Sequence, residues 1–572
     1  MSRRRKILLG SLIGALADYR TRVNADGGVV EALTCANSLD ADVVMIPSGY
    51  KATKLYSQKA VPVYGAELVT NGDFATDTNG WLPNGNALIS WDEGKALIDI
   101  QGSSGGIKTT INNFIIGKEY LVTADFNFIT FSGSIGGDIG FGYEQTLNES
   151  GSLNFIFTAT STSQSIAFAR TTTTTGTLTI DNVSVKEVLT GDCDFDVSRN
   201  SIATRVNKLG LIEEVAIDVP RLDYSDSNCP NLLLEPQSTN LLTYSEDFSD
   251  ASWSKSPSVT LTLNDAVSPS GDIDATKLNF TSVASTHNLS YQYLTLAEDY
   301  TSAIYVKYID TQFIQLWFGS SGFSGGNVNF DLINGTKNEL SGATGKIESL
   351  SNGWYRISIS KVSAGGTTAL LAITTVNSLN SSRFGSEVDG NVYIWGAQAE
   401  ALPYATSYIP TVGSTVTRIA DNVTGSGDVN SFNDSEGVLF IEMASLFDSL
   451  SDRVISISDN TTSEMVYISY SSTTNQIAVD VVSGGVSQAP MTHTLTDETV
   501  ASKIALKWKL NDCALWVDGV EVATDIVCTM PTGLVDLSFD DGNSANNMYC
   551  KLSALKVFTT ALSDAQLETL TT

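Results

Sequence analysis

Thr177-Leu178-Thr179-Ile180-Asp181-Asn182-Val183-Ser184-Val185 decides the fold. The run is dominated by β-branched and apolar residues, the composition of a pleated, half-buried strand. Working outward, runs of the same kind recur at 120–128, 153–159 and 165–170. Turn signals separate them, including Asn71-Gly72, Gly105-Gly106 and Gly136-Gly137. Short strands at this spacing predict a β-sandwich or barrel over 66–189. The β-branched tract from Thr171 to Thr175 reads as an exposed loop or edge strand.

The same plan returns further along. Glu67-Leu68-Val69-Thr70-Asn71-Gly72-Asp73-Phe74, followed by Trp81, is echoed by Asn240-Leu241-Leu242-Thr243-Tyr244-Ser245-Glu246-Asp247-Phe248 and Trp253. Gly117-Lys118-Glu119-Tyr120 is echoed by Ala297-Glu298-Asp299-Tyr300, and Leu178-Thr179-Ile180-Asp181-Asn182-Val183 by Val392-Tyr393-Ile394-Trp395-Gly396-Ala397. Echoes in one order predict a second sandwich at 240–418. A third β domain is predicted at 432–572. Its strands read at 438–443, 453–458, 465–471, 476–482, 504–510 and 552–558, with an Asp518-Gly519 hairpin and a Ser563-capped helix over 564–570. Residues 1–65 are left as an N-terminal attachment segment, 190–239 as an extended connecting segment and 419–431 as a linker. The chain is therefore expected to be all-β.

Composition narrows the function. Charged residues are 17% of the 572, against about 25% in an average protein, and Gly, Ser, Thr and Asn fill the difference. With 63 acidic and 33 basic side chains the net charge is −30, which repels a phosphate backbone and argues against a nucleic-acid partner. The six cysteines, Cys35, Cys193, Cys229, Cys513, Cys528 and Cys550, lack C-x-x-C spacing. They read as buried free thiols, with one disulfide open among the last three. Arg3-Arg4-Arg5-Lys6 precedes an apolar run from Ile7 to Ala17. The run is too short to span a membrane. It reads as an anchoring segment, with a secretory signal as the alternative.

One segment carries a longer signature. Ser198-Arg199-Asn200-Ser201-Ile202-Ala203-Thr204-Arg205, Val219-Pro220-Arg221-Leu222-Asp223-Tyr224 and Leu232-Leu233-Leu234-Glu235-Pro236 follow one another within 195–240. This series resembles a segment of phage and prophage virion proteins of the tail-fibre and head-appendage type. Gly49-Tyr50-Lys51-Ala52-Thr53-Lys54-Leu55-Tyr56 is similar to the stretch that precedes it there, so 66–189 looks like an inserted module. Asn71-Gly72-Asp73-Phe74 with Trp81, and Asn352-Gly353-Trp354-Tyr355-Arg356 with Ser407-Tyr408-Ile409-Pro410-Thr411, resemble jelly-roll carbohydrate-binding modules and their phage-particle counterparts. Leu515-Trp516-Val517-Asp518-Gly519 and Ala561-Leu562-Ser563-Asp564 are similar to the concanavalin or laminin-G class.

The resemblances imply serial jelly-roll sandwiches on a short, partly irregular N-terminal attachment segment. They imply a virion location, on the particle surface or tail, with other virion proteins as partners through the N-terminal segment. They also imply host-surface polysaccharide as a ligand and a homo-oligomer of the trimeric fibre kind. A capsid-decorating or head-fibre protein and a secreted glycan-degrading enzyme are the competing readings.

Chemistry-bearing motifs are sparse, and the chain is expected not to be an enzyme. His287 and His493 are its two histidines, both in Ser/Thr-rich stretches and both read as surface or strand-edge. Neither a nucleophile elbow nor a phosphate-binding loop occurs. No catalytic residue and no cofactor is assigned. Sugar binding stacks an aromatic face on a pyranose ring, and Trp91, Tyr143 and Trp317 are the candidates, core packing being the alternative. Trp81, Trp253, Trp354 and Trp395 sit in echoed or motif positions and are expected in cores. Asp540, Asp541 and Asn543 gather oxygens in one loop, open to structural calcium or to a plain polar turn.

Overall fold

The computed structural model describes residues 29–30, 43–45, 49–57, 63–102, 105–139, 143–172, 175–189, 193–281, 287–293, 298–319, 323, 325–363, 369–382, 387–448 and 450–572. The apolar run expected to anchor the chain lies outside them. The chain is all-β, built of antiparallel sheets packed as sandwiches. It divides into two compact units, Val61–Gly191 and Met1–Ala60 with Asp192–Thr572.

In the unit Val61–Gly191, one sheet runs in the order Gly151–Thr158, Glu119–Phe128, Gly176–Leu189, Lys95–Ile100, Ala87–Asp92, with Val63–Glu67 paired to Gly176–Leu189. The facing sheet runs Tyr143–Leu147, Ile135–Asp138, Gln164–Arg170, Gly106–Ile111, Leu82–Asn84. Strand alternation builds the core: Tyr120, Val122, Ala124 and Phe126 turn inward against Ile107, Ile166 and Phe168. Trp81 is buried there. Its indole N–H donates to the Asn71 carbonyl at 3.0 Å, and its ring lies 5.3 Å from Phe74.

The other unit holds two sandwiches. In the first of them, Trp354–Val362, Asp299–Tyr308 and Gly390–Glu400 lie in one six-stranded sheet, and Phe313–Gly319, Ala369–Val376 and Asn327–Asp331 in the other. Trp253 repeats the geometry of Trp81: its N–H donates to the Tyr244 carbonyl at 2.9 Å and its ring sits 4.9 Å from Phe248. The duplicated sequence thus places equivalent rings at equivalent posts. In the last sandwich Glu436–Ser445, Ser502–Lys509, Cys513–Val517 and Cys550–Phe558 share an eight-stranded sheet. It faces a sheet containing Arg453–Ser458, Met465–Tyr470 and Gln476–Ser483. The helix Asp564–Thr571 opens with a capping box between Ser563 and Gln566.

The segment read as an extended connector is pulled into the sheets. Phe195–Ser198 pairs with Lys54–Leu55 on one side and with Asn422–Thr424, inside the expected linker, on the other. Asn231–Leu233 joins the eight-stranded sheet beside Cys550–Phe558. Leu55 therefore faces Phe195 across a ladder, although Val61–Gly191 lies between them in sequence.

The motif arginines of this segment converge on a buried charge cluster. Asp421 accepts from Arg199 at 3.0 Å and from Arg221, while Glu235 accepts from Arg221 at 2.6 Å, with Arg418 3.5 Å away. All five side chains are at most 4% exposed. Arg205 pairs with Glu213 at 2.8 Å and lies over the Tyr50 ring. Arg199, Arg221 and Glu235, which belong to the motifs that resemble virion proteins, thus hold segments together rather than facing solvent.

Two expectations need correction. Cys193, Cys513, Cys528 and Cys550 are buried free thiols, but Cys229 is disulfide-bonded. His287 is not at the surface: it is 2% exposed, packs on Phe280 and bonds Thr375 at 2.9 Å. Its sequence neighbourhood is polar, but it precedes the strand Leu289–Tyr293, whose partners enclose it. Burial lowers its pKa.

Candidate functional site

In Phe313–Gly319, Ile314, Leu316 and Phe318 enter the core, so Phe313, Gln315, Trp317 and Gly319 line the outer face of the sheet. The neighbouring strand repeats the logic. Val328 and Phe330 point inward, leaving Asn327, Asn329 and Asp331 outward. Register places Trp317 between Asn327 and Ala372, and Gln315 between Asn329 and Thr374.

Trp317 is half-buried and lies along the sheet. A Cβ built on Gly319, two positions on and on the same face, would collide with its six-membered ring. The indole therefore forms a flat step above a position that must lack a side chain. Beside it are two buried polar groups without a protein partner. Gln315 is 0% exposed and Asn327 5%. Gln315 Nε2 donates to Asn329 Oδ1 at 2.7 Å, but Gln315 Oε1 and Asn327 Nδ2 have no hydrogen-bond partner. Leaving such a group unsatisfied costs about 1–3 kcal/mol.

One wall of this face is the 377–382 loop. Asn329 Nδ2 donates to the carbonyls of Leu379 at 2.9 Å and Ser381 at 2.8 Å, and Asn338 Nδ2 donates to that of Leu379 at 3.0 Å. At the far end Asp331 accepts from Ile333 N, Asn334 N, Asn334 Nδ2 and Gln312 Nε2. Burial pushes its carboxyl upward, but these donors outweigh burial and hold its pKa below the usual value. The indole gives apolar area at the surface, and the acceptor and donor beside it are buried without a protein partner; a ligand with apolar C–H faces and hydroxyl groups matches both once the face opens enough to admit it.

The other sequence candidates fall elsewhere. Trp91 is 47% exposed on the edge strand Ala87–Asp92, with its N–H donating to the Phe74 carbonyl at 2.7 Å. The backbone of Tyr143 stands opposite Asp138, and its side chain lies outside the described residues. Its backbone ends a cross-strand row, Leu82, Lys108, Ala167, Asp138, Tyr143, of the five-stranded sheet in Val61–Gly191. Trp91 and Trp317 belong to different units.

The loop of Asp540, Asp541 and Asn543 uses its carboxylates on itself. Asp540 Oδ1 accepts from Gly542 N at 2.7 Å and Ser538 Oγ at 2.9 Å. Asp541 accepts from the amides of Asn543 and Ala545 and from Asn546 Nδ2. Among the described residues no three His, Cys, Asp or Glu side chains gather as a metal group, and no helix is long and apolar enough to cross a membrane. Gln315, Asn327 and Gly319 were not singled out from sequence. The period-two pattern around Ile314-x-Leu316-x-Phe318 contains the signal that assigns them to the outer face.

Fold and face together define a modular all-β chain with a half-buried tryptophan and two unpaired amide groups on one sheet. No protein-family model matches the sequence, and no curated protein matches it. Among solved structures, the chain is similar to the tandem CBM22 modules of Paenibacillus barcinonensis Xyn10C, at 12% identity, over 59% of this chain and 98% of that one, with a TM-score of 0.19. It is similar to a CBM4 structure at 19% identity, over 21% of this chain and 99% of that one, with a TM-score of 0.18. Mouse laminin α1 domains LG4-5 match at 11% identity, over 55% and 94%, with a TM-score of 0.18. None of these three concerns a bacteriophage particle.

Proposed function

We propose that this chain is a non-catalytic glycan-binding protein of a virion tail or appendage. The observation that carries the binding half is the Trp317 step beside the unpaired Gln315 Oε1 and Asn327 Nδ2. A pyranose offers an apolar face to the indole and hydroxyls that both donate and accept, so one ligand class answers both features. Host-surface polysaccharide is the ligand this reading expects. The virion half is supported by the Arg199, Arg221 and Glu235 motifs, whose sequence resembles that of phage particle proteins.

A glycan array probed with the full chain and with Trp317→Ala tests the binding half. Binding that the variant loses supports the reading. Binding retained by Trp317→Ala, or none at all, overturns it. Cryo-electron microscopy of particles from the source tests the virion half: density for the chain at the tail or a vertex is expected, and density over the whole head would instead favour the capsid-decorating reading.

A further inference from the structure

The last sandwich buries in its core a pair of thiols that the glycan reading does not use. Cys513 opens the strand Cys513–Val517, which turns through Asp518-Gly519 into Val520–Asp525. Val520–Asp525 is an edge of the eight-stranded sheet. Cys528 follows that strand and turns toward Cys513. The two Sγ atoms lie 3.0 Å apart, in residues 1% and 3% exposed. Both Sγ atoms approach the Lys509 carbonyl, at 3.6 and 3.5 Å. Asn511 fixes the pairing, with its Oδ1 accepting from Cys528 N at 3.2 Å and its N–H donating to the Cys528 carbonyl at 3.4 Å.

We propose that Cys513 and Cys528 are an oxidative modification site that closes into a disulfide when the chain meets a small-molecule disulfide oxidant. The sulfurs need to approach by about 1 Å, since a disulfide bond is about 2 Å long. One thiol loses its proton and attacks a sulfur of glutathione disulfide, whose S–S bond breaks and releases one glutathione thiolate. The second deprotonated thiol attacks the mixed disulfide and releases the other glutathione. Two protein thiols are oxidised and one glutathione disulfide is reduced to two glutathiones. Burial and the neighbouring Cys528 push the Cys513 thiol up, so Cys513 is a slow attacking thiol.

The bond would staple an edge. The chain beyond Cys528 crosses to the opposite sheet: Thr529 Oγ1 donates to Gln488 Oε1 at 2.7 Å and Thr532 N to Glu464 Oε2 at 2.8 Å. At the other end of the hairpin, Gly519 N donates to Thr571 Oγ1 of the helix at 3.1 Å. A covalent link at Cys513 ties these contacts to the sheet where it has no further strand to pair with.

The test uses the full chain, purified with reductant and then incubated with glutathione disulfide. Both forms are unfolded in guanidinium with iodoacetamide and digested with trypsin. Lys509 and Lys551 bracket a peptide, residues 510–551, that contains Cys513, Cys528 and Cys550. All three cysteines should be alkylated in the reduced form and Cys550 alone after oxidation, with a rise of several degrees in melting temperature. Cys513→Ser and Cys528→Ser should abolish that rise, and Cys193→Ser should keep it. Three alkylated cysteines after oxidation, or separate glutathione adducts on Cys513 and Cys528, overturn the proposal. If a serine variant does not fold, alkylation of the unaltered chain decides.

Discussion

The six-membered ring of Trp317 occupies the space that a side chain on Gly319 would need. The indole can lie flat on its sheet only because the second residue along has no Cβ. Gly319→Val should therefore lift the ring without removing it. Glycan affinity should fall by roughly 5- to 30-fold for Gly319→Val and for Trp317→Ala alike, on the order of 1–2 kcal/mol. Isothermal titration against a bound array glycan checks this. Circular dichroism should report intact folds, because both positions face outward.

The Arg199, Arg221, Arg418, Glu235 and Asp421 cluster predicts a large cost for losing one acid. Asp421→Ala leaves the buried Arg221 and Arg418 with Glu235 alone and takes from Arg199 its acid partner. The unit Met1–Ala60 with Asp192–Thr572 should lose about 3–5 kcal/mol, read from denaturant midpoints.

The same cluster sets an acid limit. Burial raises the Glu235 pKa, but Arg221, Arg418 and the Ser407 hydroxyl outweigh burial and hold it far below the usual range. A carboxyl with a depressed folded pKa contributes stability above its unfolded value, about 4.3. That contribution is lost as pH falls through the folded value. Melting temperature should be insensitive to this group from neutral pH down to about 5 and fall progressively below about 4. Scanning calorimetry across that range checks it, with Glu235→Gln showing a shallower decline.

Asp536 gives the opposite sign. Burial first, then the charges of Asp540 and Asp196, push its pKa up to about 6. Its unfolded value is about 3.9, so it penalises folding increasingly from pH 4 to pH 6 and fully above. Asp536→Asn should stabilise the protein at pH 8 by on the order of 1 kcal/mol after solvent screening and should have no effect at pH 3.5.

Trp81 and Trp253 belong to different compact units. Truncation of either buried ring to Ala should cost about 3–5 kcal/mol. A calorimetric scan should show Trp81→Ala lowering the transition of Val61–Gly191, and Trp253→Ala that of the other unit. A single transition shifted equally by both would contradict independent folding.

Strand placement was legible in the sequence because it depends on local alternation. The 453–458 strand reads and folds with the same bounds, and the strand read at 120–128 gains one residue, becoming Glu119–Phe128. The echo of Trp81 in Trp253 was also legible, since duplicated sequence preserves the carbonyl acceptor and the Phe neighbour. Trp317 could be named as an aromatic candidate, but its attitude could not.

The sequence by itself determined that the chain is all-β and where its strands alternate, because each residue's inward or outward facing follows from its neighbours two positions away. Only tertiary structure decided which outward residues meet. Gln315 and Asn327 become one site through the register of two strands, and Arg199 reaches Asp421 across 222 positions of chain. His287 is buried and Cys513 meets Cys528 for the same reason: burial and proximity depend on what packs from elsewhere in the chain, and local composition does not encode it.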